Sequence, residues 1–270
     1  MAILKQKKFN FKRLMLTISM VLAAFYLINM LLAFFSADRL IFQPPPSSYR
    51  DNSEIIKLTS ANGAKISAKH FPNASAKYTI LFNHGNAEDI GTTEYFLEDL
   101  RGSGFAVFTY DYQGYGTSEG KSGERKSYED AQAALRYLTE NLKIDPNNII
   151  VHGRSLGGAI AIDLVSREKC SGLIVESSFV SAFRVVTKYP IFPFDKFQSL
   201  KKLKQIDTPI LFIHGKSDEL IPLWHSEMMF AAANEPKFSL WIEGGHNDIF
   251  PLNRKSYLER IRDFSADLPK

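Results

Sequence analysis

Ile149-Ile150-Val151-His152-Gly153-Arg154-Ser155-Leu156-Gly157-Gly158-Ala159-Ile160-Ala161-Ile162 joins an apolar run to a helix-like run through a glycine-flanked serine. A short apolar, β-branched run ending at glycine reads as a buried strand, and the small apolar residues after Gly157 read as a helix. Ser155 therefore sits on the sharp turn between them. The glycines flank it because, in so tight a turn, a Cβ would collide with the adjoining strand and helix. With a strand before it and a helix after it, G-x-S-x-G is the sequence form of a nucleophile elbow, which holds a serine hydroxyl clear of a sheet.

A serine hydroxyl is a weak nucleophile at its free pKa, so the chemistry needs a base and an orienting acid. Both follow Ser155 in the chain order Ser, Asp, His. Ile210-Leu211-Phe212-Ile213-His214 reads as a buried strand running out into Gly215-Lys216-Ser217-Asp218, which places Asp218 just past the strand's carboxyl end. Phe238-Ser239-Leu240-Trp241-Ile242 is the next strand, and Glu243-Gly244-Gly245-His246 puts His246 on a glycine-rich loop at the same edge. The expected roles are Ser155 as nucleophile, His246 as general base and then acid, and Asp218 as the residue that fixes the imidazole tautomer. His70, His84, His152, His214 and His225 lack this order and read as packed or capping residues. Asp207 and Asp195 are the alternative acids, but Asp207 precedes its strand and so lies at the wrong edge for a site built at strand carboxyl ends.

An acyl transfer also needs donors for the developing oxyanion. The Leu156 N–H, directly after the nucleophile, is one. The loop after Tyr78-Thr79-Ile80-Leu81-Phe82 supplies the other, with the Asn86 N–H as candidate in Asn83-His84-Gly85-Asn86-Ala87.

Five ordered motifs carry a family resemblance: His84-Gly85-Asn86-Ala87, Tyr110-Asp111-Tyr112-Gln113-Gly114-Tyr115-Gly116-Thr117-Ser118-Glu119-Gly120, Gly153-Arg154-Ser155-Leu156-Gly157-Gly158-Ala159, Gly215-Lys216-Ser217-Asp218 and Gly245-His246-Asn247-Asp248. Together they resemble the membrane-associated α/β-hydrolase-domain serine hydrolases, in particular the bud-emergence-46-like branch, whose relatives include protein depalmitoylases. The resemblance spans the chain from about Asp51 onward. It departs from the depalmitoylases at one point: they carry an N-terminal cluster of palmitoylated cysteines, whereas this chain has only Cys170.

Membrane attachment has another source. Leu14 to Phe35 contains no charged residue, and as a helix it would span ~33 Å at about 1.5 Å per residue, enough to cross a hydrocarbon core. Lys5, Lys7, Lys8, Lys12 and Arg13 precede it, while Asp38 and Arg39 nearly cancel after it. The positive-inside rule then predicts a single-pass protein with a cytoplasmic N-terminus and a periplasmic or lumenal catalytic domain. A cleaved signal is the rival reading, but the apolar run is long for a signal core and Phe35 spoils a small-x-small cleavage site. The expected organisation is a basic N-terminus over 1–13, a transmembrane anchor over 14–35, a Pro-rich linker over 36–50 through Pro44-Pro45-Pro46, and a catalytic domain over 51–270.

The remaining chain alternates strand and helix patterns. Glu54 to Leu58 and Lys65 to His70 read as a hairpin across Asn62-Gly63, Phe105 to Tyr110 and Gly172 to Glu176 as strands, and Ser127 to Asn141 as an amphipathic helix. The fold class is α/β: a mostly parallel sheet with helices on both faces and a short cap, preceded by one transmembrane helix. Only about thirty residues separate Glu176 from Thr208, which excludes a large lid. Phe179, Phe183, Tyr189, Ile191, Phe192, Phe194 and Phe197 in that interval either line an acyl groove or pack onto the sheet; packing is the expectation for most of them.

The net charge of +4 owes much to the N-terminal lysines, which points to membrane orientation and not to nucleic acid. One cysteine allows no internal disulfide. The chemistry calls for no metal or organic cofactor. The function read from the sequence is hydrolysis of an acyl ester or thioester at a membrane through an acyl-enzyme. A serine aminopeptidase-like amidase and a non-catalytic membrane-tethered binding module are the alternatives.

Overall fold

The computed structural model describes residues 10–269, so the first nine residues of the expected basic N-terminus lie outside the described part. Helix α1 runs from Phe11 to Ile41, capped at its start by the Asn10 side chain, which accepts from the Arg13 N–H at 3.1 Å. It is long and apolar enough to cross a membrane. The helix ends six residues after Phe35, so the stretch expected to begin a linker is still helical. Ser36 to Ile41 contains no helix breaker, and the chain leaves the helix only when Pro44-Pro45-Pro46 approaches.

Strands β1 (Ile55–Thr59) and β2 (Lys65–Phe71) form the expected hairpin, pairing Thr59 with Lys65 and Ile55 with Lys69. Gly63 takes a positive φ of 85° in its turn, as a type of turn with left-handed backbone requires. The chain then alternates: β3 (Thr79–Asn83), α2 (Ile90–Gly102), β4 (Ala106–Tyr110), α3 (Glu124–Arg136), β5 (Ile149–Arg154), α4 (Leu156–Val165) and β6 (Gly172–Glu176). Two short helices follow, α5 (Phe183–Val186) and α6 (Ser199–Leu203), and then β7 (Ile210–Gly215), α7 (Trp224–Ala232), β8 (Lys237–Ile242) and α8 (Ile249–Ala266).

The eight strands order as β1-β2-β4-β3-β5-β6-β7-β8. From β4 to β8 every neighbour is parallel, while β1 and β2 pair antiparallel at one edge. Successive residues of the inner strands pack into opposite layers, as a period of two demands. Leu81, Phe108, Val151, Val175 and Phe212 share the layer of α3, α4 and α7, whereas Ile80, Val107, Ile150, Ile174 and Leu211 share that of α2 and α8. Both faces are covered, which is why β3, β4 and β6 are buried at every position. On the inner face of the segment read as the Ser127–Asn141 helix, Ala131, Ala134, Leu135 and Leu138 are all buried; the last lies in a π-helical turn, Tyr137–Asn141, that extends α3.

Candidate active site

Parallel strands put their carboxyl ends at one edge, and β5, β7 and β8 each deliver one polar side chain there. Ser155 follows β5 directly with φ of 54° and ψ of −117°, a backbone conformation that costs on the order of 1–3 kcal/mol for a residue with a side chain. Two hydrogen bonds hold it: the Ser155 N–H donates to the Glu176 carbonyl at 2.8 Å, and the Gly158 N–H donates to the Ser155 carbonyl at 3.0 Å. A Cβ on Gly153 would strike the Gly157 carbonyl, and one on Gly157 would strike the Asn83 carbonyl. The glycine positions in the elbow are thus fixed by backbone-to-backbone contact.

His246 bridges the other two residues. Its Nδ1 lies 2.7 Å from Asp218 Oδ2 and its Nε2 lies 3.0 Å from Ser155 Oγ. An ionised carboxylate only accepts, so Nδ1 carries the proton and Nε2 presents its lone pair to the serine hydroxyl. The three residues named from the sequence therefore come together as a linear relay, with Ser155 and His246 partly exposed and Asp218 buried.

Asp218 is held as the anion. Burial alone would raise its pKa, but hydrogen bonds from His214 and His246, the His246 charge and the Ile221 N–H outweigh burial and hold the carboxyl well below the usual carboxylate range. Its Oδ1 accepts from the Leu220 and Ile221 N–H groups at 3.0 and 2.7 Å. His214 is the residue that sequence reasoning passed over. Its Nε2 donates to the Ile221 carbonyl at 2.7 Å and lies 3.3 Å from Asp218 Oδ2, while its Nδ1 accepts from the Ser226 hydroxyl at 2.7 Å. A histidine at the end of a buried strand, four residues before an acid at the carboxyl edge, was the available signal.

The other candidates have structural partners. Buried His152 lies 2.9 Å from Glu176, which also accepts from Tyr257. His225 is buried against Trp224, its Nδ1 accepting from the Val180 N–H at 3.3 Å and its Nε2 without a partner among the described residues. Burial, followed by the nearby Arg184 and His214 charges, pulls His225 down to about 4. Asp207 meets Asn234. Asp195 accepts from the Ser181 hydroxyl and the Phe183 and Lys196 N–H groups. Asp111 accepts from the Ile90 N–H at the start of α2 and from Tyr49.

The loop after β3 approaches Ser155 from the other side. Its fixings are numerous: Tyr112 donates to the His84 carbonyl at 2.7 Å, and the Gly85 N–H donates to Glu88 at 2.6 Å. Glu88 is in turn paired with Arg154, the residue before Ser155, so the loop and the elbow are tied by one ion pair. Asn86 uses its whole side chain: Oδ1 accepts from the Gln43 N–H and the Tyr115 hydroxyl, and Nδ2 donates to the Ile41 carbonyl. The backbone N–H groups of Asn86 and Leu156 have no partner among the described residues, and both residues border the same groove as Ser155.

That groove has a volume of about 490 Å³, within the range of roughly 300–1,000 Å³ typical of small-molecule sites. Its walls are overwhelmingly apolar. Phe179, Phe183, Ile191, Phe192 and Phe194 line it, which corrects the expectation that most aromatics of this interval pack onto the sheet. Tyr189 projects to the surface and Phe197 is buried in the core. The packing reading failed because the opposite wall of the groove is α1, which supplies Ala33, Ala37, Leu40 and Ile41.

A strained serine on a strand-to-helix turn, a histidine and a buried carboxylate in this order on an eight-stranded, mostly parallel sheet define an α/β-hydrolase. Residues 74–197 match the serine aminopeptidase, S33 family. The chain is 37% identical over 225 residues to human α/β-hydrolase domain-containing protein 17B, covering 81% of this chain and 77% of that one. It is 40% identical over 227 residues to the Xenopus laevis 17B protein, covering 82% and 77%. The chain belongs to the α/β-hydrolase domain-containing protein 17 family and is a hydrolase of that fold. Among solved structures, an esterase of Pyrococcus furiosus superposes with a TM-score of 0.72 at 19% identity, covering 84% of this chain and 99% of that one. The esterase domain of a Rhodothermus marinus protein gives 0.63 at 16% identity, covering 79% and 98%.

Proposed function

We propose that this hydrolase is a membrane-anchored serine esterase or thioesterase that cleaves a long-chain acyl group from a lipid or an acylated protein. The observation that carries the reading is the Ser155–His246–Asp218 relay, at 3.0 and 2.7 Å, opening onto an apolar groove. Ser155 attacks the acyl carbonyl as His246 takes its proton, and Asp218 stabilises the imidazolium. The Asn86 and Leu156 N–H groups receive the oxyanion. His246 then protonates the departing alcohol or thiol, and a water activated by the same imidazole releases the acid. The acyl chain lies in the groove, where apolar burial holds it.

In this reading residues 14–35 cross the membrane, 36–50 connect, and 51–270 form the catalytic domain. The basic residues before the helix support an orientation with the N-terminus in the cytoplasm and the domain in the periplasm or lumen.

An amidase reading draws support from the serine aminopeptidase name of the matching family. An aminopeptidase needs an unpaired carboxylate for the substrate's free amino group, and Asp195 on the groove wall is already committed to three donors. The purified full-length protein, assayed with p-nitrophenyl acyl esters, acyl thioesters and aminoacyl anilides, separates the readings. Esters and thioesters turning over far faster than anilides is the expected result; anilide turnover that matches or exceeds them would establish the amidase.

A further inference from the structure

The membrane helix does more than attach the domain. After α5 the cap chain runs back along α1, and three contacts fix its level: Tyr26 donates to the Ile191 carbonyl at 3.0 Å, Tyr26 packs on Phe192 at 5.9 Å, and Phe34 meets Phe194 edge-on at 5.3 Å. Tyr26 lies nine residues inside the Phe35 end of the uncharged stretch, a depth of ~13 Å along the helix axis at about 1.5 Å per residue. The cap is therefore drawn down beside a segment whose composition suits hydrocarbon. Tyr189 of the cap is 71% exposed, and Val186 and Ile191, which border the groove, are 89% and 55% exposed. The cap also carries charge: Arg184 donates to the carbonyl of exposed Lys188 at 3.2 Å, and Lys196 pairs with Asp38 of α1 at 3.1 Å.

Between cap and helix lies the groove. Ala33, Ala37 and Ile41 recur at the spacing that places residues on one face of a helix, and all three border it. Ile41 is bonded through its carbonyl to Asn86, beside Ser155, and Ala33 lies ~12 Å farther toward the membrane at helical rise. Two alanines leave room where larger side chains would bring the helix against Phe192 and Phe194.

Resting on the serine-hydrolase reading, we propose that the groove admits an acyl chain laterally from the bilayer, and that α1 forms the wall that measures it. The occupant is the hydrocarbon chain of a membrane-resident ester or thioester. It slides between Ala33 and Ala37 on one side and the cap aromatics on the other until its carbonyl reaches Ser155, and the head group stays at the membrane surface. A chain in the bilayer is already out of water, so the preference for long chains rests on how closely the groove packs against each added methylene, and the helix wall sets that fit.

The test uses the full chain in lipid vesicles with p-nitrophenyl butyrate and p-nitrophenyl palmitate, alongside fluorophosphonate labelling of the wild type. Ala33→Phe narrows the groove at its membrane end and should lower the palmitate-to-butyrate ratio of kcat/KM at least tenfold. Ala37→Phe, nearer the serine, should lower it as well. Leu31→Phe, on the opposite side of α1 and outside the groove, should leave the ratio within about twofold of wild type. A ratio unchanged in Ala33→Phe, or butyrate and palmitate falling together in it, would overturn the proposal. Failure of the wild type to label would overturn the serine-hydrolase reading instead.

Discussion

The side-chain amide of Asn86 donates to the carbonyl of Ile41 at 2.6 Å, joining the last turn of α1 to the loop that carries a candidate oxyanion donor. A helix C-terminus leaves its final carbonyls without intrahelical partners, and here one of them is answered from the loop beside Ser155. Asn86 also accepts from Gln43 and Tyr115, so one side chain sets the position of its own backbone N–H relative to Ser155.

Asn86→Ala keeps that N–H but removes all three side-chain bonds. Loss of a direct oxyanion donor costs about 10²–10³ in kcat; loss of its positioning should cost less, on the order of tenfold. Steady-state kinetics with an acyl ester checks this, and a kcat equal to wild type would show that the loop holds its shape without the helix end.

His214 should prove a positioning residue for Asp218. A hydrogen bond to a charged group is worth about 1.5–3 kcal/mol, and the 3.3 Å contact is a long, shared one. His214→Asn is therefore expected to lower kcat about tenfold, leave KM within about twofold, and slow fluorophosphonate labelling in proportion. A change in KM alone would place His214 in substrate binding.

Much of this was legible in the chain. The glycines around Ser155 announce the turn because backbone contacts forbid any other residue there, and Asp218 and His246 stand on short turns after recognisable strands. His214 was hidden because a histidine inside an apolar run has the look of a packed one; its role depends on which carboxylate the next loop folds over it. The groove was hidden for a different reason. Whether Phe192 and Phe194 pack or line a cavity depends on α1 continuing past Phe35 and lying against them, and the charged pair Asp38-Arg39 reads in sequence as the point where the helix leaves the domain's business to the linker. In the fold, Asp38 instead pairs with Lys196 of the cap.

The buried His225 predicts acid sensitivity. Its pKa is pulled down to about 4 in the fold, against about 6.5 unfolded. Above 6.5 neither state binds the proton and His225 has no pH effect; between 6.5 and about 4 only the unfolded state binds it, so stability falls as pH falls, by about 1.4 kcal/mol per pH unit from this group. His225→Asn should flatten the pH dependence of the denaturation midpoint across that window. A slope as steep as wild type would assign the acid sensitivity elsewhere.

The orientation is tested by a reporter fused to the C-terminus in a bacterial host. Alkaline phosphatase, which needs a disulfide-permissive compartment, should be active, and a fluorophore that matures only in the cytoplasm should be dark. The reverse pair would place the catalytic domain on the cytoplasmic side.

The central claim is that Ser155, drawn to 3.0 Å from His246 Nε2 on a strained turn, is the nucleophile of an acyl-enzyme reaction. Labelling the full-length protein and its Ser155→Ala variant with a fluorophosphonate, with acyl-ester turnover measured in parallel, tests it most directly. Removal of a triad nucleophile cuts kcat by about 10⁶ in a well-studied serine hydrolase, so the variant should neither label nor turn over ester above background while unfolding at the wild-type midpoint. Full labelling or substantial turnover by Ser155→Ala would contradict the assignment.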